Sequence, residues 1–191
     1  NGATPAHLAA QKKHTTAALE LLIRAGCDIN KAMSDGRTPA YAAAAECHMA
    51  MLDILVKGGC DVNLAMDNGW TPAHVAAHHG HTAMLELLVK AGCDVNQAQK
   101  DGQTPAFIAA YHGYATALEL LVKAPGCDVN QADENGTTPA YAAAQMGHTA
   151  VLALLVKAPG GCDVNRADSR GITPAYIAAQ QGHTAALEIL V

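Results

Sequence analysis

A Thr-Pro dipeptide recurs through the whole chain at Thr4, Thr38, Thr71, Thr104, Thr138 and Thr173, at intervals of 34, 33, 33, 34 and 35 residues. A second block, Cys-Asp-(Val/Ile)-Asn, keeps the same phase from Cys27, Cys60, Cys93, Cys127 and Cys162. A period of this length constrains the fold more than any other feature. It demands a row of small units that cannot each bury a core alone and must stack on their neighbours.

One copy, from Gly69 to Asp101, shows what each unit contains. Thr71 suits a helix N-cap, and Pro72 suits the first helical position, where its missing N–H would have been unpaired anyway. The spacing predicts a short Ala-rich helix over residues 73–79. Gly80 can take the left-handed conformation that ends it. A second helix is predicted over residues 82–91. In it Met84, Leu85, Leu87 and Leu88 fall on one buried face, and Gly92 stops it. Asn68-Gly69 is a tight-turn dipeptide that opens the unit. Five of the six units carry Asn-Gly or Asp-Gly there, and Arg170-Gly171 is the exception.

This helix–turn–helix of about 33 residues with a Thr-Pro-x-His-x-Ala signature resembles the ankyrin repeat. The Thr-Pro, Ala-Ala, Gly-His, Leu-Leu and Asp-Val-Asn elements all fall in register over the whole chain. The resemblance implies an all-α, ankyrin-type solenoid joined by β-hairpin turns. Its six units are 1–35, 36–68, 69–101, 102–135, 136–170 and 171–191, the first and last incomplete, and the whole reads as a segment of a longer chain. Two departures are systematic. The Leu usual after Thr-Pro is Ala at Ala6, Ala40, Ala73, Ala106, Ala140 and Ala175, and the Ala usual before Asp-Val-Asn is Cys. The signature His stays at His7 and His74, but is Tyr41, Tyr141 and Tyr176 in three units and Phe107 in another.

Composition narrows the function. Twelve Lys and Arg against 17 Asp and Glu leave a formal charge of −5, which argues against a nucleic-acid footprint. No apolar run approaches the ~18 residues that a membrane-spanning helix needs. There is no phosphate-binding loop, serine elbow or facing carboxylate pair, so no enzymatic activity and no cofactor are expected. The in-phase cysteines sit one stacking distance apart, too far for disulfides, and read as small buried apolar residues. Free thiols fit a reducing compartment, so an intracellular, cytoplasmic location is expected. Cys47 replaces the turn glycine and is expected to be the most accessible thiol. His14, His48, His81, His148 and His183, in the Gly-His position, are expected to hydrogen-bond the backbone. His78 and His79 diverge by ~100° on a helix, so no metal site is expected.

Variation between copies points to a binding surface. Positions shared by all copies read as packing, and variable ones as available for recognition. The position before Thr-Pro varies among Arg37, Trp70, Gln103, Thr137 and Ile172. The end of the first helix varies among Glu46, His78, His79, Tyr111, His112 and Met146. The resemblance places both sets at hairpin tips and on a concave face that holds a protein or peptide partner. Arg37, Glu46, Trp70, His78, His79, Gln103, Tyr111, His112 and Met146 are the candidate contact residues, with an aromatic and imidazole patch at their centre. The resulting expectation is a scaffold or adaptor module. The alternatives are a structural spacer, or a substrate of asparaginyl hydroxylation at Asn63 or Asn96. The chain is expected to be monomeric, with end-to-end association open to its uncapped terminal units.

Overall fold

A computed structural model describes residues 2–12 and 16–191. Among them are twelve helices and no strand. The chain divides into two compact units, Asn1–Asp94 and Val95–Val191. The first holds α1 (Pro5–Gln11), α2 (Thr16–Arg24), α3 (Pro39–Ala45), α4 (Met49–Lys57), α5 (Pro72–His78) and α6 (Thr82–Lys90). The second holds α7 (Pro105–Tyr111), α8 (Ala115–Lys123), α9 (Pro139–Met146), α10 (Thr149–Val156), α11 (Pro174–Gln180) and α12 (Thr184–Leu190).

Within each unit the odd-numbered helices stack on one another, and so do the even-numbered ones. In the first, α1 packs on α3 and α3 on α5, while α2 packs on α4 and α4 on α6. In the second, α7 packs on α9 and α9 on α11, while α8 packs on α10 and α10 on α12. The odd-numbered helices can lie close because they are nearly all alanine on their inner faces. Ala6, Ala40, Ala73, Ala106 and Ala140 are each buried to 1% exposure or less, so the Ala that departs from the usual Leu is a core residue with no room beside it. The even-numbered helices supply the bulk, with Leu52, Leu55, Leu85, Leu88, Leu118, Leu121, Leu152 and Leu155 fully buried. Each such leucine stabilises the stack by about 1.5–3 kcal/mol relative to an exposed one. Leu87, expected on the buried face, is only half-buried.

Helix ends follow the expected chemistry. Thr38, Thr71, Thr104, Thr138 and Thr173 are N-caps whose hydroxyls accept the backbone N–H three residues on. Gly80, Gly113, Gly147 and Gly182 are left-handed, with φ of 66–77°. On the outer face, Lys57–Asp53, Lys90–Glu86 and Lys123–Glu119 close ion pairs one helical turn apart at 2.6 Å. The equivalent Glu20 and Arg24 do not, although both line a shallow groove against α4.

The expected β-hairpins are tight turns without a strand ladder. In the third repeat the Met66 N–H donates to the Trp70 carbonyl, and the Gly69 N–H donates to the Met66 carbonyl, both at 2.8 Å. Successive turns stack backbone to backbone, as where the Asp67 N–H donates to the Asp35 carbonyl. A Cβ on Gly36 would lie 2.6 Å from the Asp67 nitrogen and the Met66 Cα, so the glycine of the turn dipeptide is a condition for stacking as well as for turning. Arg170-Gly171, the exception in sequence, makes the same turn with the same carboxylate brace that Asp133 gives to the Asn135 and Thr137 N–H groups. The Asp168 carboxylate accepts the N–H groups of Arg170 and Ile172 at 2.9 Å and the Arg170 guanidinium at 2.7 Å. Burial would raise the Asp168 pKa, but the Ile172 N–H, the Arg170 guanidinium and the Arg170 N–H together hold it below the ordinary carboxylate value.

Candidate functional site

The Asp-Val-Asn block is the clamp between repeats. Asp61, Asp128 and Asp163 each turn their own loop, accepting the N–H of the asparagine two residues on. The asparagine then reaches one repeat forward. Asn63 Oδ1 accepts the Asp94 N–H at 2.7 Å, and its Nδ2 donates to the Gly92 carbonyl. Asn96 does the same with Asp128 and Gly126, and Asn130 with Asp163 and Gly161. Asn63 and Asn96 therefore have a stacking role in which both ends of the carboxamide are engaged. Nothing in this geometry favours their being modification sites.

The neighbouring cysteines are free and half-buried, less deeply placed than expected of core residues. Burial, and secondarily the aspartate that follows each one, pushes the thiols of Cys60, Cys93, Cys127 and Cys162 up to about 11. These thiols are protonated and unreactive at neutral pH. Cys47 is the exposed one.

The nine candidate contact residues are all exposed or half-buried, and the helix boundaries explain their positions. Arg37, Trp70 and Gln103 precede the N-caps of α3, α5 and α7. His78, Tyr111 and Met146 end α5, α7 and α9, and Glu46, His79 and His112 are C-caps. Arg37 is held by Asp35 at 2.7 Å. Gln103 accepts a 2.7 Å hydrogen bond from the Gln99 side chain. Glu46 is exposed at the end of α3, and Met146 is 41% exposed at the end of α9.

In the first compact unit the rings form a continuous chain. Trp70 folds back on the helix that follows it, with its ring 5.3 Å from that of His78 and 6.2 Å from that of His74. His78 meets His79 edge-on at 4.9 Å, and His79 stacks on His81 at 5.3 Å. Burial, and then the neighbouring His79, lower the His78 pKa below the ordinary imidazole value. His74 is fully buried, and its Nδ1 accepts the Thr71 N–H at 3.1 Å. The second compact unit carries its own cluster, with Tyr111 edge-on to His112 at 5.2 Å and His112 stacked on Tyr114 at 5.9 Å. Sequence reasoning singled out Trp70, His78, His79, Tyr111 and His112 for recognition. It left His74, His81 and Tyr114 as structural positions. Their one visible signal was being aromatic three residues after Thr71 or three after the helix end.

A family model described as ankyrin repeats (3 copies) matches residues 1–66, 51–133 and 125–191, which together take in the whole chain. The chain belongs to the ankyrin repeat family. A search of the curated proteins finds no match. Ankyrin repeats generally mediate protein–protein interaction and are typically non-catalytic. No described helix is long and apolar enough to cross a membrane. No described group of three His, Cys, Asp or Glu residues is placed to hold a metal ion.

The histidines of these ankyrin repeats divide by their partners. In the signature position, His7 Nδ1 accepts the Thr4 N–H at 3.1 Å. Its proton therefore sits on Nε2, which donates to the Arg37 carbonyl at 2.9 Å and ties α1 to the next turn. In the Gly-His position, His48 donates to the Ala10 carbonyl, His148 to that of Tyr111 and His183 to that of Gln145. These three meet the expectation of backbone partners. His14 lies outside the described residues. His81 departs from it, because its Nδ1 is buried without a hydrogen-bond partner.

Proposed function

We propose that this ankyrin repeat chain is a protein-binding scaffold or adaptor whose recognition surface in the first compact unit centres on Trp70, His78 and His79. The observation that carries this reading is the ring chain itself. Trp70 is half-buried against α5, so its indole is already held in place while part of it faces solvent. A pre-positioned Trp loses little side-chain entropy on binding, and Trp is among the residues most often found as interface hot spots. Arg37, on the turn of the preceding repeat, and Glu46, at the end of α3, border the same stacked row of first helices. In the second compact unit Gln103, Tyr111, His112 and Met146 take the corresponding positions, with Tyr111 40% exposed. They form a second recognition surface of the same design.

The test is affinity capture of a protein partner with the 191-residue chain, followed by titration of that partner against the wild type, Trp70→Ala and Tyr111→Ala. Loss of a hot-spot Trp costs about 2 kcal/mol or more, so Trp70→Ala should weaken binding by about thirtyfold. The thermal midpoint should move by no more than a few degrees. Undiminished affinity for both variants would overturn this assignment.

A further inference from the structure

The second helices of the first compact unit each carry an acid and a base one helical turn apart on their outer face, and one of these pairs is left open. Asp53–Lys57 and Glu86–Lys90 close at 2.6 Å. Glu20 and Arg24 hold the same positions on α2, yet neither pairs with the other or with any other described residue. Both are exposed. That exposure belongs to the position in the repeat. Helix α4 packs against α2 on one side and α6 on the other, and its Lys57 and Asp53 side chains are still 74% and 41% exposed.

The open pair borders a groove. Glu20, Ile23 and Arg24 stand at i, i+3 and i+4 on α2, and Ile54, Lys57 and Gly58 have the same spacing on α4 and its C-cap. Residues so spaced share one side of a helix, and the two sets enclose about 250 Å³ between them. Ile23 and Ile54, both half-buried, are its apolar part. Gly58 has no side chain to fill it, whereas Ala25 and Ala91 stand at the same position in the neighbouring repeats. A Cβ on Gly58 would lie 2.9 Å from the Ile23 Cδ1. The patch is also locally neutral, because Arg24 offsets Glu20 and Lys57 offsets Asp53, on a chain whose formal charge is −5.

We propose that two copies of this chain associate through this groove, with α2 of one antiparallel to α2 of the other. The charge pattern selects the occupant. An acid and a base one turn apart on a single helix are self-complementary, because a two-fold rotation sets Glu20 of each copy against Arg24 of the other. Both ion pairs then form at once, and Ile23 of each copy is carried toward the groove of the other. The closed pairs on α4 and α6 would have to give up one partner to gain another. Local neutrality lets two acidic chains meet here without the repulsion that their net charge creates elsewhere. The contact is isologous, so it is complete at the dimer. This inference stands independently of the Trp70 surface.

Sedimentation velocity of the 191-residue chain over a wide concentration range tests it. The mass should rise with concentration from 19.6 kDa to twice that value and no further, and added salt should lower it by screening the pairs. Glu20→Arg or Arg24→Glu alone sets like charges opposite each other at both contacts, and should raise the dissociation constant by about tenfold or more. The variant with both changes restores the two pairs in reverse and should dimerise like the wild type. Both positions are exposed, so circular dichroism melts should match the wild type. Arg24→Gln, with a smaller loss of association, replaces Arg24→Glu should the latter melt early. A wild type that stays monomeric at every concentration would overturn the proposal. So would a mass that climbs past the dimer, which marks an open contact between unlike faces. Single variants that associate as the wild type does, or a double variant that fails to recover what they lose, would overturn it as well.

Discussion

Among the described residues the turn after the first helix is built in two ways. In the fourth and fifth repeats it is Gly113 and Gly147, both left-handed, and the histidine of the next repeat lies directly against the glycine. A Cβ on Gly113 would lie 2.7 Å from the His148 ring, and one on Gly147 would lie 2.7 Å from the His183 ring. Each of those histidines donates to a carbonyl near the end of the helix it covers. In the second repeat the same position is Cys47, which keeps the left-handed backbone at φ 55°. The histidine at the corresponding position of the next repeat is His81, the described histidine whose Nδ1 is buried without a partner. By register, the Cys47 Cβ falls where glycine leaves room for the ring in the joints at Gly113 and Gly147. His81 stacks on the His79 ring instead. One glycine therefore does two jobs, turning the chain and admitting the next histidine. Cys47 does the first under strain and blocks the second.

The largest effect should come from making the glycine joints resemble the cysteine joint. Gly147→Ala places a Cβ on a left-handed backbone, at about 1–2 kcal/mol, and drives the His183 ring off the Gln145 carbonyl, losing about 1 kcal/mol more. A destabilisation of roughly 2–3 kcal/mol, read as a lower urea midpoint with an unchanged slope, is expected. An unaltered midpoint would break the comparison at its base.

The reverse change should have a smaller effect of opposite sign. Cys47→Gly relieves the left-handed strain and opens the space against the end of α3. It also makes the unfolded chain more flexible, which offsets part of the gain. A net stabilisation of about 1 kcal/mol is expected, with the His81 ring moving onto a carbonyl at the end of α3. Nitrogen chemical shifts of the imidazole would report that move. Should stability rise while the His81 resonances stay put, the strain reading would survive and the displacement reading would fail.

The difference between these joints shows what a repeat sequence can disclose. Thr71, Pro72, Gly80 and Gly92 act on residues within a few positions of themselves, and they set both helices of the third repeat to within one residue of expectation. The absence of glycine at Cys47 was equally visible, but its consequence falls 34 residues later on His81 and depends on how one repeat sits on the next. The Asp-Val-Asn block was legible as a repeated string for the same reason. Its work, a carboxamide clamp from Asn63 to Asp94 and Gly92, passes between repeats. At the candidate site, exposure of the tip and helix-end residues followed from register alone. The folding of Trp70 onto His78, the ion pair that holds Arg37 and the drawing of His74 and His81 into the ring chain are side-chain choices made after the backbone is placed. The wrong burial expected for the cysteines has a similar origin, since their partial exposure is set by the loop that follows them.

The smallest effect concerns pH, and it extends the contrast to the imidazoles that lie on the cysteine side of it. His78 is held below the ordinary imidazole pKa of about 6.5 first by burial and then by His79. A histidine with a depressed folded-state value favours its neutral form in the fold, so above about pH 6.5 it makes no difference to stability. As the pH falls through that value the unfolded chain takes up the proton before the folded one does, and stability declines until the folded-state pKa is passed. Urea midpoints measured from pH 7.5 to 5 should therefore drop in the wild type, and His78→Gln should reduce the drop. The same slope in both proteins would assign the acid sensitivity to other groups and separate the ring chain at Trp70 from any role in it.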